Sequence, residues 1–216
     1  MKKIITGIFA AAMLLVCVES NAQLVTGAGY LYTSEKTGSS DAIPYNGFYL
    51  GASYNIPIVA GLGIAPGLYA DMLFRNTKSS AGGSSAGLTV SGHYRELMVN
   101  VPLNLNYGYN VNGNVKLLAF AGPTFQFGIL SSTTVSGSAN INLFGQSYSY
   151  SDSETYDYYE NDVRNRFNIY LGGGIGLQIG DIMFTVGYDH NMMDIDKNDN
   201  TTTGRNVIKA GINRCF

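Results

Sequence analysis

The stretch Glu96-Leu-Met-Val-Asn-Val-Pro-Leu-Asn-Leu-Asn-Tyr107 alternates without a break. Leu97, Val99, Val101, Leu103 and Leu105 fall on one side; Glu96, Met98, Asn100, Pro102 and Asn104 fall on the other. A period of two is that of a β-strand with unlike faces. The stretch outruns the roughly five or six residues of an ordinary strand and reaches the roughly 9–11 that cross a bilayer when tilted.

The same alternation recurs outward from it, over Phe48–Ile58, Leu62–Phe74, Val115–Ile129, Phe167–Ile179, Ile182–Tyr188 and Ile208–Phe216, and less regularly over Leu24–Thr33. Several of these segments present a second face of polar residues or glycine, and no helical period competes. Composition agrees. Of the 216 residues only 13% are charged, about half the ~25% of a soluble domain, yet mean hydropathy is only +0.04. No run of about 18 apolar residues follows the N-terminus, which argues against helical membrane spans. A net charge of −2 disfavours nucleic acid as a partner, and two cysteines cannot build a disulfide scaffold.

Residues 1–22 have the features of a secretory signal peptide. Lys2 and Lys3 precede an apolar stretch from Ile4 to Val18, and Ser20-Asn21-Ala22 supplies small residues for cleavage before Gln23. Val16 stands where a lipoprotein signal ending at Cys17 wants a small residue. The expected mature domain is 23–216, with Cys215 as its single cysteine.

Connection lengths separate a membrane barrel from a sandwich. Val59–Gly61, Asn110–Asn114 and Gly180–Asp181 are short; Ser34–Asn46, Asn76–His93, Leu130–Asn165 and His190–Arg205 are long. Short turns at one rim and long loops at the other are the layout of an outer-membrane barrel. The expected fold is all-β: an antiparallel up-and-down transmembrane β-barrel of eight strands, or ten if Leu130–Asn165 hides another hairpin.

The sequence resembles the small outer-membrane β-barrels of Bacteroidetes-type bacteria, the porin-family or PorT-like barrel domain. Glu96–Tyr107 carries the resemblance, with Ala119-Phe-Ala-Gly-Pro123, Leu171-Gly-Gly-Gly-Ile-Gly-Leu177 and Phe184-Thr-Val-Gly-Tyr188. The terminal Phe216 resembles the signal read by the outer-membrane insertion machinery, and Arg214 departs from the apolar or aromatic residue usual third from the end. The resemblance implies an outer-membrane location, with membrane lipid and lipopolysaccharide as surroundings, but no shared activity.

With apolar faces to lipid, the inward ionisable residues are Asp71, Arg75, Glu96, Lys116, Arg166, Asp189 and Lys209. Eight strands leave room for side chains rather than a wide channel, so a mutually paired polar plug is expected, with a narrow solute path as the alternative. A soluble lipocalin-like barrel is the third reading. Catalysis is not expected: His93 and His190 lack a recognisable catalytic spacing, and Gly172–Gly176 lacks nucleotide-binding spacing and a following helix. No cofactor or metal is expected. Asp194-Ile-Asp-Lys-Asn198 opens like a calcium loop, but Asp199 replaces its glycine and Arg205 stands where the closing glutamate belongs. Tyr148, Tyr150, Tyr156, Tyr158 and Tyr159 alternate with acidic residues in the third long loop and are the candidate surface for an extracellular protein or glycan ligand.

Overall fold

The computed structural model describes residues 23–82, 86–143, 146–197 and 201–216; the expected leader lies outside the described residues. Nine antiparallel strands follow in order: β1 (Gln23–Thr37), β2 (Ile43–Val59), β3 (Leu62–Gly82), β4 (Ala86–Asn112), β5 (Val115–Leu143), β6 (Gln146–Asp157), β7 (Phe167–Ile179), β8 (Ile182–Asn191) and β9 (Thr203–Cys215). Eight of them close a ring, in which β4 pairs with β5, β5 with β7, and β9 with β1. The ninth, β6, pairs with the far half of β5. The third loop therefore does hold a hairpin, but it adds no pair of strands to the ring. Between Val115↔Ile179 and Phe127↔Phe167 it is β7 that lies beside β5, and β6 begins to pair only from Ser132 onward.

The tight turns form for local reasons. Ala60 and Gly61 both have positive φ, 46° and 84°, and Gly180 has 58°, the left-handed geometry that matches a two-residue hairpin to strand twist. Between β4 and β5 the Asn112 side chain accepts from the backbone N–H of Asn114 at 3.0 Å and Val115 at 2.9 Å, an Asx turn.

Alternation along the strands separates two environments. Leu105, Leu171, Ile175, Phe184, Val186 and Ile212 stand on the outside, exposed. The opposite parity is buried inside the ring: Asp71, Asn100, Thr124, Gln126, Asn168 and Asn213, together with an apolar and aromatic set of Leu31, Tyr45, Tyr49, Leu73, Tyr94, Met98, Tyr170 and Val207. The chain is apolar outside and largely polar within, the reverse of a soluble domain.

Two of the four long connections are not loops. Within Asn76–His93 the described residues are strand, since β3 and β4 stay paired from Asn76↔His93 to Gly82↔Gly87. Leu130–Asn165 is largely the β5–β6 hairpin. Their Ser-, Thr- and Gly-rich sequences have little intrinsic strand signal, so pairing with a neighbour decides the structure. The last contact of β3 with β2 in this direction is Phe74↔Asn46. Beyond it β3, β4, β5 and β6 rise as a four-stranded sheet, by roughly 27 Å at about 3.4 Å per residue.

Gly211 seats Tyr49: a Cβ there would coincide with the Tyr49 hydroxyl and lie 3.0 Å from the Ala28 carbonyl oxygen. Gly211→Val is expected to lower stability by about 1–3 kcal/mol through overpacking. Gly87→Val, whose Cβ meets nothing within 4 Å, should leave it unchanged. Urea-unfolding midpoints of the two variants folded into detergent micelles check this.

Candidate functional site: two charged layers inside the barrel

The upper layer lies at the long-connection end of the ring. Arg205, at the start of β9, is the most buried charged side chain among the described residues, 1% exposed. Its Nη2 donates to Glu35 Oε2 and to Glu96 Oε2, each at 2.7 Å, and its Nε reaches Glu35 Oε2 at 3.1 Å. Arg164, from the segment between β6 and β7, donates to Glu35 Oε1 and, at 2.6 Å, to the Tyr94 hydroxyl. Its Nε lies 3.4 Å from Asp196 Oδ1, and its guanidinium sits over the Tyr158 ring at 5.1 Å.

Tyrosine hydroxyls complete the carboxylates. Tyr94 donates to Glu96 Oε2 at 2.9 Å while accepting from Arg164, and Tyr159 donates to Glu96 Oε1 at 2.9 Å. Burial first, then the Glu96 charge, hold the Tyr159 phenol far above its ordinary range, so it remains a donor at any physiological pH. Both oxygens of each glutamate are engaged, which is the condition under which buried charges are tolerated. Such carboxylates are structural ion partners rather than free acids or bases.

The lower layer is smaller. Lys209 Nζ lies 2.8 Å from Asp189 Oδ2, and Asp71 is buried nearby on β3. Gln126 donates to Asn100 Oδ1 at 3.0 Å, and Tyr170 donates to Gln126 at 3.3 Å. Among the described residues, Asp71 Oδ1 and Asn100 Nδ2 have no hydrogen-bond partner. Beneath them a cavity of about 140 Å³ runs toward the short-turn end, where Gln23, Lys116, Gln178 and Cys215 line it.

Of the seven ionisable residues expected inside, Glu96 belongs to the upper layer and Asp71, Asp189 and Lys209 to the lower. Lys116 is half-buried at the cavity mouth, joined to neither. Arg75 is half-buried, 5.9 Å above the Tyr45 ring. Arg166 needs correction: its parity points inward, but it lies above the ring, exposed, over the Tyr159 ring at 4.9 Å. Tyr158 and Tyr159 also need correction as loop-surface residues. Tyr158 packs on the interior cluster and Tyr159 is 7% exposed, because the chain after β6 turns back over the ring to begin β7. Tyr148, Tyr150 and Tyr156 are exposed on β6.

Glu35, Arg164 and Arg205 were missed. The first and third continue the inward parities of Leu31–Thr33 and Val207–Lys209, so carrying the alternation past the assumed strand ends would have found them. Arg164 has no such signal; it lies in a turn segment and arrives by tertiary folding. His93 and His190 are exposed, their Nδ1 atoms 2.9 and 2.7 Å from the Asn76 and Asn206 side-chain oxygens. Phe216 is 61% exposed, its N–H donating to the Leu24 carbonyl at 2.8 Å.

Arg205→Ala leaves Glu35 and Glu96 buried without their main cation and is expected to cost about 3–5 kcal/mol. Arg205→Met combined with Glu96→Gln, which keeps Glu35 as the partner of Arg164, should regain much of that loss. Equilibrium urea unfolding in lipid vesicles reads both.

No curated protein matches the chain in sequence. Similar solved structures include Ail of Yersinia pestis, at 16% identity and TM-score 0.43 over 90% of this chain and 99% of that one. Neisserial surface protein A is similar at 14% identity and TM-score 0.41 over 91% and 100%. The outer membrane enzyme PagL is similar at 12% identity and TM-score 0.36 over 89% and 98%. The family model for the outer membrane protein beta-barrel domain matches residues 19–197. With most of its length matched and an eight-stranded ring closed by β1 and β9, the chain belongs to the outer membrane protein beta-barrel domain family.

Proposed function

We propose that this outer-membrane barrel is a surface-interaction protein: it presents the β3–β6 sheet outside the cell as a docking face, and its lumen is plugged by its own side chains. The observation that carries the reading is the chemistry of that sheet. On the face continuing the barrel interior lie Leu88 and Val90 of β4, Val135 and Ala139 of β5, and Tyr148, Tyr150, Asp152, Glu154 and Tyr156 of β6, with Leu88, Ala139 and Tyr150 in one paired row. Leu88, Val90 and Val135 are 52%, 40% and 47% exposed, and Tyr148 and Tyr150 are 59% and 69% exposed. The opposite face is Thr89, Ser91, Ser136, Ser138, Ser149, Ser151 and Ser153. An exposed apolar patch held beyond the membrane on a paired sheet favours an interaction role, and rigid tyrosines supply contact area at low entropic cost. The partner is an extracellular protein, with a glycan as the alternative ligand.

The plug reading rests on the upper layer. Arg205, Glu35, Glu96 and Arg164 draw ion pairs from β1, β4, β9 and the segment before β7, and the cavity stops beneath them. Opening a solute path there would require parting several buried pairs at once. Catalysis forms no part of the proposed role. Phe216 serves as the insertion signal, and the outer belt meets lipid, with lipopolysaccharide at the sheet-bearing rim.

Tyr148→Ser with Tyr150→Ser is expected to abolish binding of cells displaying the protein to immobilised host-surface protein while leaving its surface level unchanged; undiminished binding overturns the docking face. These two residues leave the Tyr158 and Tyr159 contacts intact. In planar bilayers the purified protein is expected to give no unitary currents, and clear single-channel steps would overturn the plug.

A further inference from the structure

A buried polar atom in a folded chain almost always has a hydrogen-bond partner, and an exception calls for one from outside. Two exceptions stand together in the lower layer. Asp71 and Asn100 are 3% and 2% exposed, and both line the cavity that runs toward the short turns. Among the described residues Asp71 Oδ1 and Asn100 Nδ2 have no partner, and no hydrogen bond joins them to each other. They stand on paired strands two residues out of register, since Asp71 pairs with Met98 and Tyr69 with Asn100. The spare N–H of Asn100 does not depend on which way its amide is turned. Tyr170 donates to Gln126 Oε1, and Gln126 Nε2 donates to Asn100 Oδ1, so this relay leaves Nδ2 as the free end.

Charge is left over at the same place. Lys209 is paired with Asp189 at 2.8 Å, and among the described residues no salt bridge reaches Asp71. Lys116 also lines the cavity, but at its mouth: it is the second residue of β5, whereas the β5 position reached from Asp71 through Met98 is Gly128. A buried carboxylate without a counterion is costly, and a cation that reaches it is held accordingly. A divalent ion takes about six to eight oxygens, more than one free carboxylate supplies. An organic cation fits better, because Tyr49, Tyr69 and Phe120 also line the cavity and aromatic rings attract ammonium groups. The volume, about 140 Å³, is close to that of a cavity that takes up benzene, so it has room for about six heavy atoms.

We propose that this cavity is a binding pocket for a small primary ammonium compound that carries a hydroxyl or carbonyl oxygen on the neighbouring carbon. The ammonium donates to Asp71 Oδ1, the oxygen accepts from Asn100 Nδ2, and the short carbon chain lies against Tyr49, Tyr69 and Phe120. One molecule then satisfies both orphan atoms and neutralises the carboxylate, whereas water satisfies the atoms and leaves the charge. The ligand enters past Lys116 from the short-turn end and goes no further, because Arg205, Glu35 and Glu96 close the ring above. The pocket is a dead end rather than a path, and it is independent of the docking face on the protruding sheet.

The test is an NMR titration of the purified, isotope-labelled full-length protein in detergent micelles, read from the backbone amides of Asp71 and Asn100 so that uptake by the micelle does not count. The probes, of similar size, are 2-amino-1-butanol, butylamine, 1-butanol and butyrate. Butylamine is expected to bind about tenfold more tightly than 1-butanol, the scale of one charge-assisted hydrogen bond, and 2-amino-1-butanol several-fold more tightly again. Butyrate should not bind. Asp71→Asn should remove the preference for butylamine over 1-butanol, and Asn100→Ala should remove the advantage of the amino alcohol over butylamine. Should either variant fail to fold, the ranking in the unaltered protein decides the matter. Equal affinity for butylamine and 1-butanol, or no shift at these amides with any probe, means that water alone fills the cavity and overturns the proposal.

Discussion

Everything in this molecule follows from the pairing of its first strand with its last. In a bilayer an unpaired backbone N–H or C=O has no water to turn to, so a sheet can cross only if it has no edge. The ladder from Val25↔Cys215 to Thr37↔Thr203 removes that edge. Once the ring is closed, side chains have two places to go, and the alternation already present in each strand sorts them. The apolar set goes to the lipid face, and the polar set has only the interior.

That sorting explains a polar interior and also limits it. Charges confined within a narrow ring must compensate one another, and they do so in two tiers of different quality. In the upper tier two guanidiniums span two glutamates, with tyrosine hydroxyls taking the remaining lone pairs. In the lower tier one lysine is paired with one aspartate, while Asp71 retains an unpartnered oxygen beside the cavity. The better-satisfied tier lies where the ring adjoins the protruding sheet, so the same side chains that fill the barrel brace the segment returning from β6.

The sheet above the ring shows how far a strand persists without a sequence signal of its own. The residues of β3 beyond Phe74 are Arg, Asn, Thr, Lys, Ser, Ala and Gly, a composition that reads as loop. They are strand because β4 runs beside them, and β4 stays strand because β5 does. Their inward parity is inherited from the barrel below, which is why Tyr148, Tyr150 and Tyr156 share a face with Leu88 and Val90. Tyr158 lies on the same parity but low enough to meet the Tyr94 ring, and Tyr159 reaches Glu96 from the turn after β6. Five tyrosines close in sequence therefore divide between two environments, three exposed on β6 and two packed over the ring.

Alternation along the chain was sufficient to determine the ring portions of the strands, their outward faces, the eight-stranded ring, the short turns, and Asp71, Glu96, Asp189 and Lys209 as inward residues, because period-two patterning is a local property that survives folding unchanged. Glu35 and Arg205 were within reach of the same argument and were lost where strands were assumed to end. Arg164 was not within reach. Its place depends on a connection folding back across the ring, and no periodicity records such a return. The fate of β6, the inward turn of Tyr159 and the outward position of Arg166 were likewise decided by tertiary structure alone, since each depends on which distant strand offers a partner.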